Sequence, residues 1–302
     1  MSELIEYILK YIHKYVVAFE VPPGIGKTLL TIGKALELAR GGATVIYALP
    51  THSALATAFA YAVLSFYEMA KKKGRKLPYL VYYEGINRFC PFFARDGNAV
   101  FRYALDYMYA KGKIDQVLYE RLKDLTVREV ASAHGTMFIC RNVCPVYRAK
   151  KHFPKERVFA TENARDIEKQ VFPLLPGEVK AYIAEAVKAL GMLKKKGLVA
   201  YVSPKIEIGK KPDGYCIRAV LQKAVTRKTQ IVMKGALILT PIHALDFLHS
   251  LIERRVKALQ SRGLSVPSPY IIIDEYDFYV YKPAKMPVFS VKQAEKELEV
   301  AR

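Results

Sequence analysis

Residues 19–36, FEVPPGIGKTLLTIGKAL, decide how this chain is read. The run VVAF at 16–19 has the apolar, β-branched character of a short buried strand, and TLLTIGKALELA from Thr28 places apolar side chains at helical spacing. The segment 22–26 between them is rich in glycine and proline, so it joins a strand to a helix. Such a loop is suited to phosphate. Gly24 and Gly26 let the backbone come close to an anion, and the N–H groups of Pro23–Leu29 that are available point inward at the positive end of a helix. Pro23, Gly24, Ile25, Gly26, Lys27, Thr28 and Leu29 are therefore the expected nucleotide contacts, with Lys27 supplying charge and Thr28 a hydroxyl for magnesium. Val21 departs from the strict G-x-x-x-x-G-K-[ST] pattern, which has glycine at that place. The plainer alternative is an ordinary glycine turn before a helix.

Hydrolysis of a nucleoside triphosphate needs an acidic element as well. YIIIDEYDFYV at 270–280 supplies a β-branched strand that ends in Asp274 and Glu275. At a strand's carboxyl end Asp274 is expected to hold Mg2+ and Glu275 to polarise the attacking water, which with Lys27 makes the catalytic set. Asp277 is placed to couple the site to a neighbouring domain. A strand followed by a solvated acidic turn is the alternative.

The 302 residues are 52% hydrophobic and 12% aromatic, ample for a large core. Lys and Arg number 48 against 28 Asp and Glu, a formal charge of +20. That imbalance favours a polyanionic partner, since a merely heat-adapted surface raises both signs together. The N-terminal MSELIEYILKYIHK is amphipathic with charges throughout and does not read as a signal peptide, and no uncharged apolar run is long enough to span a bilayer. The expectation is a cytoplasmic protein with no membrane partner.

ATVIYALPT at 43–51 and YLVYYEG at 79–85 read as strands, with a helical segment between them. GALILTPIHALDFLHSLIERRV at 235–256 then gives a strand followed by a helix. Strands alternating with helices imply a parallel α/β sheet. The expected lobe is discontinuous, 1–85 with 233–280; residues 86–232 form a mainly helical insertion, and 281–302 a tail. All four cysteines fall in that insertion: Cys90, Cys140, Cys144 and Cys216. Thiolates suit tetrahedral zinc or an iron–sulfur cluster, with His134 as a substitute ligand for Cys216, while scattered structural cysteines are the alternative.

Several residues in order resemble the superfamily 2 helicases related to XPD and DinG. FEVPPGIGKT is similar to that family's nucleotide loop, and YALPTHSAL sits where its next motif carries a threonine, here Thr51, that contacts the DNA backbone. EGINRFCPFF resembles the segment around the family's first cluster cysteine and CPVYR the segment around its last. GALILTPIHAL is similar to the strand and helix before the acidic box, and DEYD stands in for that box. The resemblance implies a RecA-like ATP-binding lobe with an inserted [4Fe–4S] domain, acting with ATP and Mg2+ on single-stranded or forked DNA. The family's second RecA-like lobe has no counterpart in this sequence, which implies a separate subunit that supplies it. The alternative is a non-catalytic nucleic-acid- or metal-binding scaffold with a relic loop.

RNVCPVYRAKKHFPKER at 141–157 mixes cations with rings, as strand-tracking surfaces do. Arg141, Arg148, Lys150, Lys151, Lys155 and Arg157 are the expected phosphate contacts, and Tyr147, His152 and Phe153 the stacking partners. KKKG at 194–197 has no aromatic residue close in sequence and reads as a solvated charge cluster.

Overall fold

The computed structural model describes residues 27–72, 76–148, 156–167, 177–226 and 230–274. Pro23, Gly24, Ile25, Gly26, Lys150, Lys151, His152, Phe153, Lys155, Glu275 and Asp277 lie outside the described residues.

Six strands form one sheet in the order β4-β3-β2-β7-β1-β8. They are β1 Thr44–Leu49, β2 Tyr79–Tyr82, β3 Val158–Ala160, β4 Val199–Tyr201, β7 Ala236–Pro241 and β8 Tyr270–Ile273, and every pairing is parallel. A small antiparallel pair, β5 Pro204–Lys205 with β6 Asp213–Gly214, stands apart from it. The strands expected at 43–51, 79–85, 235–256 and 270–280 all occur, because runs such as TVIYAL and ALILTP are buried along their whole length.

Period-two alternation divides these runs between two cores. Ile46, Ala48, Val81, Tyr83, Phe159 and Ile238 face one layer, which holds the helices of 86–148 together with Ile217–Thr226 and Leu245–Gln260. Val45, Tyr47, Leu80, Tyr82, Val158 and Leu239 face the other, covered by helices Lys27–Arg40, His52–Lys71 and Gly177–Lys195. The molecule is thus a helix–sheet–helix sandwich, the α/β class the motifs required.

Residues 86–232 do not all stand outside the sheet. β3 pairs with β2 and β4 with β3, so this part of the segment lengthens the sheet instead of forming a separate body. Three-residue strands such as VFA and VAY are too short to carry a periodicity of their own, and pairing, of β3 on the edge of β2 and of β4 on the edge of β3, is what makes them strands. The helical remainder packs on the first face.

His52–Lys71 is long and apolar enough to cross a membrane, with a mean hydropathy of 1.2 over its best window. Here Leu55, Phe59, Val63 and Phe66 are buried within the second core, as in a core helix. Gly235, at φ +80°, makes the close approach at the start of β7: a Cβ there would lie 1.8 Å from the carbonyl oxygen of Ala39. Only glycine fits where the turn after helix Lys27–Arg40 meets the sheet.

Candidate functional site

The helix beginning at Lys27 and the strand ending at Ile273 come together at the carboxyl edge of the sheet. Thr28 Oγ1 donates to Asp274 Oδ2 at 2.8 Å, joining residues 246 positions apart. Asp274 is anchored through its backbone, whose N–H donates to Ala48 O at 3.0 Å, as a continuation of the β1–β8 pairing. Its Oδ2 also accepts from the Tyr47 hydroxyl at 3.0 Å. That hydroxyl shares a 2.7 Å hydrogen bond with Thr31 Oγ1, and Thr31 is tied to Lys27 O at 2.8 Å. Thr28 and Asp274 therefore meet at the strand ends, where open parallel sheets bind ligands, and Lys27 directly precedes Thr28 at the start of the same helix. Leu29 is 38% exposed at the same helix start.

Tyr47 and Thr31 were not singled out by the sequence reading. Thr31 lies three residues after Thr28, hence on the same helix face. Tyr47 is the only hydroxyl inside the otherwise apolar VIYAL, and its ring is fully buried. A polar atom in an otherwise apolar buried strand is the signal that was available.

Thr51 has a local task. It is the N-cap of helix His52–Lys71, and its side chain accepts from Ala54 N at 3.1 Å. Behind it the strand ends carry a second polar group. Glu84, 1% exposed just past β2, accepts from Thr161 Oγ1, from Asn163 Nδ2 at 3.1 Å and from the Tyr82 hydroxyl at 3.4 Å. His52 lies with its ring 6.3 Å from that of His243; burial first, then Arg88 and His243, push its pKa below the usual histidine value.

The cysteines lie on the opposite face of the sheet. Cys140, Cys144 and Cys216 are buried and Cys90 nearly so, and none forms a disulfide. Burial raises the pKa of each thiol, that of Cys216 to about 11, and the sulfurs are close enough to reinforce one another: Cys90 responds to Cys216 and Cys140, and Cys144 to Cys216, Cys90 and Cys140. Three of them stand at helix starts, before Pro91–Phe93, Pro145–Arg148 and Ile217–Thr226. The Tyr147 N–H donates to Cys144 Sγ at 3.4 Å, and the backbone N–H groups of Phe92, and of Ala219 and Arg218, partly offset the effect of burial on Cys90 and Cys216. Among the described residues no group of three or more His, Cys, Asp or Glu side chains is arranged to hold a metal ion. The donor set itself fits a thiolate centre: soft ligands, shielded from water and backed by N–H donors. His134 is exposed, its ring tilted against that of Phe138 with 4.8 Å between centroids.

The basic stretch is less uniform than its composition. Arg141 is exposed, and Arg148 ends the helix Pro145–Arg148. Tyr147 packs against the first core with its hydroxyl buried, and Arg157 stacks on the Tyr79 ring at 4.6 Å, so both serve packing rather than an open strand path. KKKG, by contrast, gains aromatic partners from elsewhere in the fold. Lys196 and Lys71 lie 5.8 and 4.4 Å from the Tyr67 ring, and Lys194 and Arg165 lie 5.7 and 4.4 Å from the Tyr201 ring. Packing of helix His52–Lys71 on helix Gly177–Lys195 brings these groups together, which sequence proximity could not reveal.

No family model, curated protein or solved structure matches this chain.

Proposed function

We propose that this chain carries the ATP-binding first lobe of a DNA motor of the XPD/DinG-like kind, which acts together with a second lobe. The hydrogen bond from Thr28 to Asp274 carries this reading. It pairs a hydroxyl from the start of the loop helix with a carboxylate from the end of a distant strand, the two groups that hold magnesium in loop-type nucleotide hydrolases. Magnesium at this place supplies neutralising charge to the terminal phosphates. Tyr47 keeps Asp274 turned toward Thr28, and Lys27, in the same helical turn, adds its own positive charge. Glu275 remains the proposed water-polarising group.

Single-stranded or forked DNA is the proposed partner. The +20 charge supports it, as does the cluster of Lys71, Lys194 and Lys196 on Tyr67 and Tyr201, a mixture able to hold phosphates and stack bases. Cys90, Cys140, Cys144 and Cys216 are the proposed ligands of a [4Fe–4S] cluster, with zinc as the alternative, that binds the helical part of 86–148 to the sheet.

Calorimetry of the full chain with Mg-ATP tests the assignment. Wild type is expected to bind, and Lys27→Ala to bind at least tenfold more weakly. Equal affinities would refute the nucleotide site. Binding without DNA-stimulated hydrolysis, even in the presence of a second-lobe subunit, would favour a non-catalytic scaffold.

A further inference from the structure

Arg218 lies two positions beyond Cys216, inside the helix Ile217–Thr226, and is only 5% exposed. Its Nη1 donates to Thr136 Oγ1 at 3.0 Å and reaches Cys140 Sγ at 4.0 Å. The guanidinium carbon sits 4.0 Å from the centroid of the Phe247 ring, and Nε is buried with no hydrogen-bond partner. Among the described residues its partners are thus a hydroxyl, a thiol and a ring, and none is a carboxylate. Arginine does not surrender its proton in proteins. A guanidinium taken out of water without a counter-charge is strongly unfavourable, and a ring face offsets little of that cost.

The groups around this cation are the cysteines. Cys140 Sγ is within 4.0 Å of the guanidinium, Cys216 stands two residues before it in the chain, and Tyr83 feels the charge of Arg218 together with that of Cys216, Cys140 and Cys90. Protonated thiols are neutral and leave the guanidinium uncompensated. Thiols lose their protons when they ligate metal. Four thiolates on a divalent ion, or on a dicationic cluster, carry a net double negative charge.

We propose that Arg218 is the built-in counter-ion of an anionic four-thiolate centre, a positioning residue that holds Cys140 from outside the ligand set. The inference rests on the metal centre proposed above. It explains why an arginine is buried here: the charge that is unfavourable in the empty protein is favourable in the loaded one. It also gives the centre a link to the sheet, since Phe247 lies in the helix Leu245–Gln260 that follows β7.

The test uses the full chain purified without oxygen, with zinc, iron and sulfide measured, together with its Arg218→Met and Arg218→Lys variants. Thermal unfolding is followed in the loaded and chelator-stripped forms, and the rate of metal loss to the chelator is recorded. The expected result is a change of sign: Arg218→Met raises the melting temperature of the stripped chain but speeds metal loss from the loaded chain at least several-fold. Arg218→Lys should retain metal nearly as wild type does. If the centre is a redox-active cluster, Arg218→Met should also make its reduction potential more negative. Arg218→Met that retains metal like wild type, or that destabilises both forms alike or fails to fold, would show a packing role and overturn the counter-ion. Wild type with neither zinc nor iron would overturn the metal centre itself, a separate failure.

Discussion

Replacing Tyr47 with phenylalanine removes one buried oxygen and leaves the ring in place. In the folded protein that hydroxyl donates to Asp274 Oδ2 at 3.0 Å and shares a 2.7 Å bond with Thr31 Oγ1. A hydrogen bond to a charged acceptor contributes about 1.5–3 kcal/mol net. The single Thr31 hydroxyl proton still has Lys27 O and Thr28 O within reach as acceptors, and Asp274 keeps its bond from Thr28, so neither is stranded. The expected loss is therefore about 2 kcal/mol and not the larger penalty of an orphaned buried group. For a chain of 302 residues that corresponds to a fall of roughly 3 °C in melting temperature. Asp274 also loses a restraint on its direction, so affinity for Mg-ATP should fall while affinity for metal-free ATP changes little. Urea unfolding and calorimetry with and without magnesium measure both effects. If Tyr47→Phe matches wild type in stability and in magnesium dependence, the hydroxyl does not orient the carboxylate.

Gly235→Ala should destabilise the chain by about 3 kcal/mol or more, because it combines a strained positive φ with a Cβ 1.8 Å from Ala39 O; a melting temperature within 2 °C of wild type, about 1 kcal/mol or less, would refute this close approach. His52 titrates below its ordinary 6.5 when folded, so the unfolded chain takes up the proton first. The stability it contributes is complete above about pH 6.5 and is lost as the pH falls through the folded value. His52→Gln should flatten the decline in melting temperature between pH 7 and 5, and parallel curves would exclude the effect. Changing Lys71, Lys194 and Lys196 together to glutamine should reduce the salt slope of single-stranded DNA binding by about 2, from roughly 0.7 counterions per phosphate contact. An unchanged slope would place the nucleic-acid path elsewhere.

The sheet was legible where its strands were long. TVIYAL and ALILTP announce themselves by continuous apolar burial, and YIII by its acidic end, whereas VFA becomes a strand only through the edge of β2, and VAY only through the edge of β3. The meeting of Thr28 with Asp274 was legible because each belongs to a short pattern with one geometric purpose. Tyr47, Glu84 and Arg218 were not, since each acquires its meaning from partners brought by the fold: Thr31 and Asp274, Thr161 and Asn163, Thr136 and Cys140. The same reason accounts for the KKKG cluster, whose rings come from another helix and an edge strand.

Strand alternation determines how the two candidate centres are related. Tyr82 and Tyr83 are adjacent in the chain, yet Tyr82 lies against Phe59 of the second core at 4.6 Å, while Tyr83 turns to Phe247 of the first at 6.5 Å. Tyr47 belongs to the second core and the cysteines Cys144 and Cys216 to the first, so the sheet stands between the Tyr47 ring and the thiols. Contact between the two sides must therefore pass through strand backbones or around their carboxyl ends. β7 serves both routes: it pairs with β1, which carries Tyr47, and it leads into the helix whose Phe247 covers Arg218. A nucleotide-driven shift at Asp274 would reach the cysteine face as a movement of the β7 exit against Tyr83 and Arg218. Parallel ladders resist sliding, because a change of register would turn every buried side chain to the wrong core. Rotation of side chains at the strand ends is the motion this architecture leaves open.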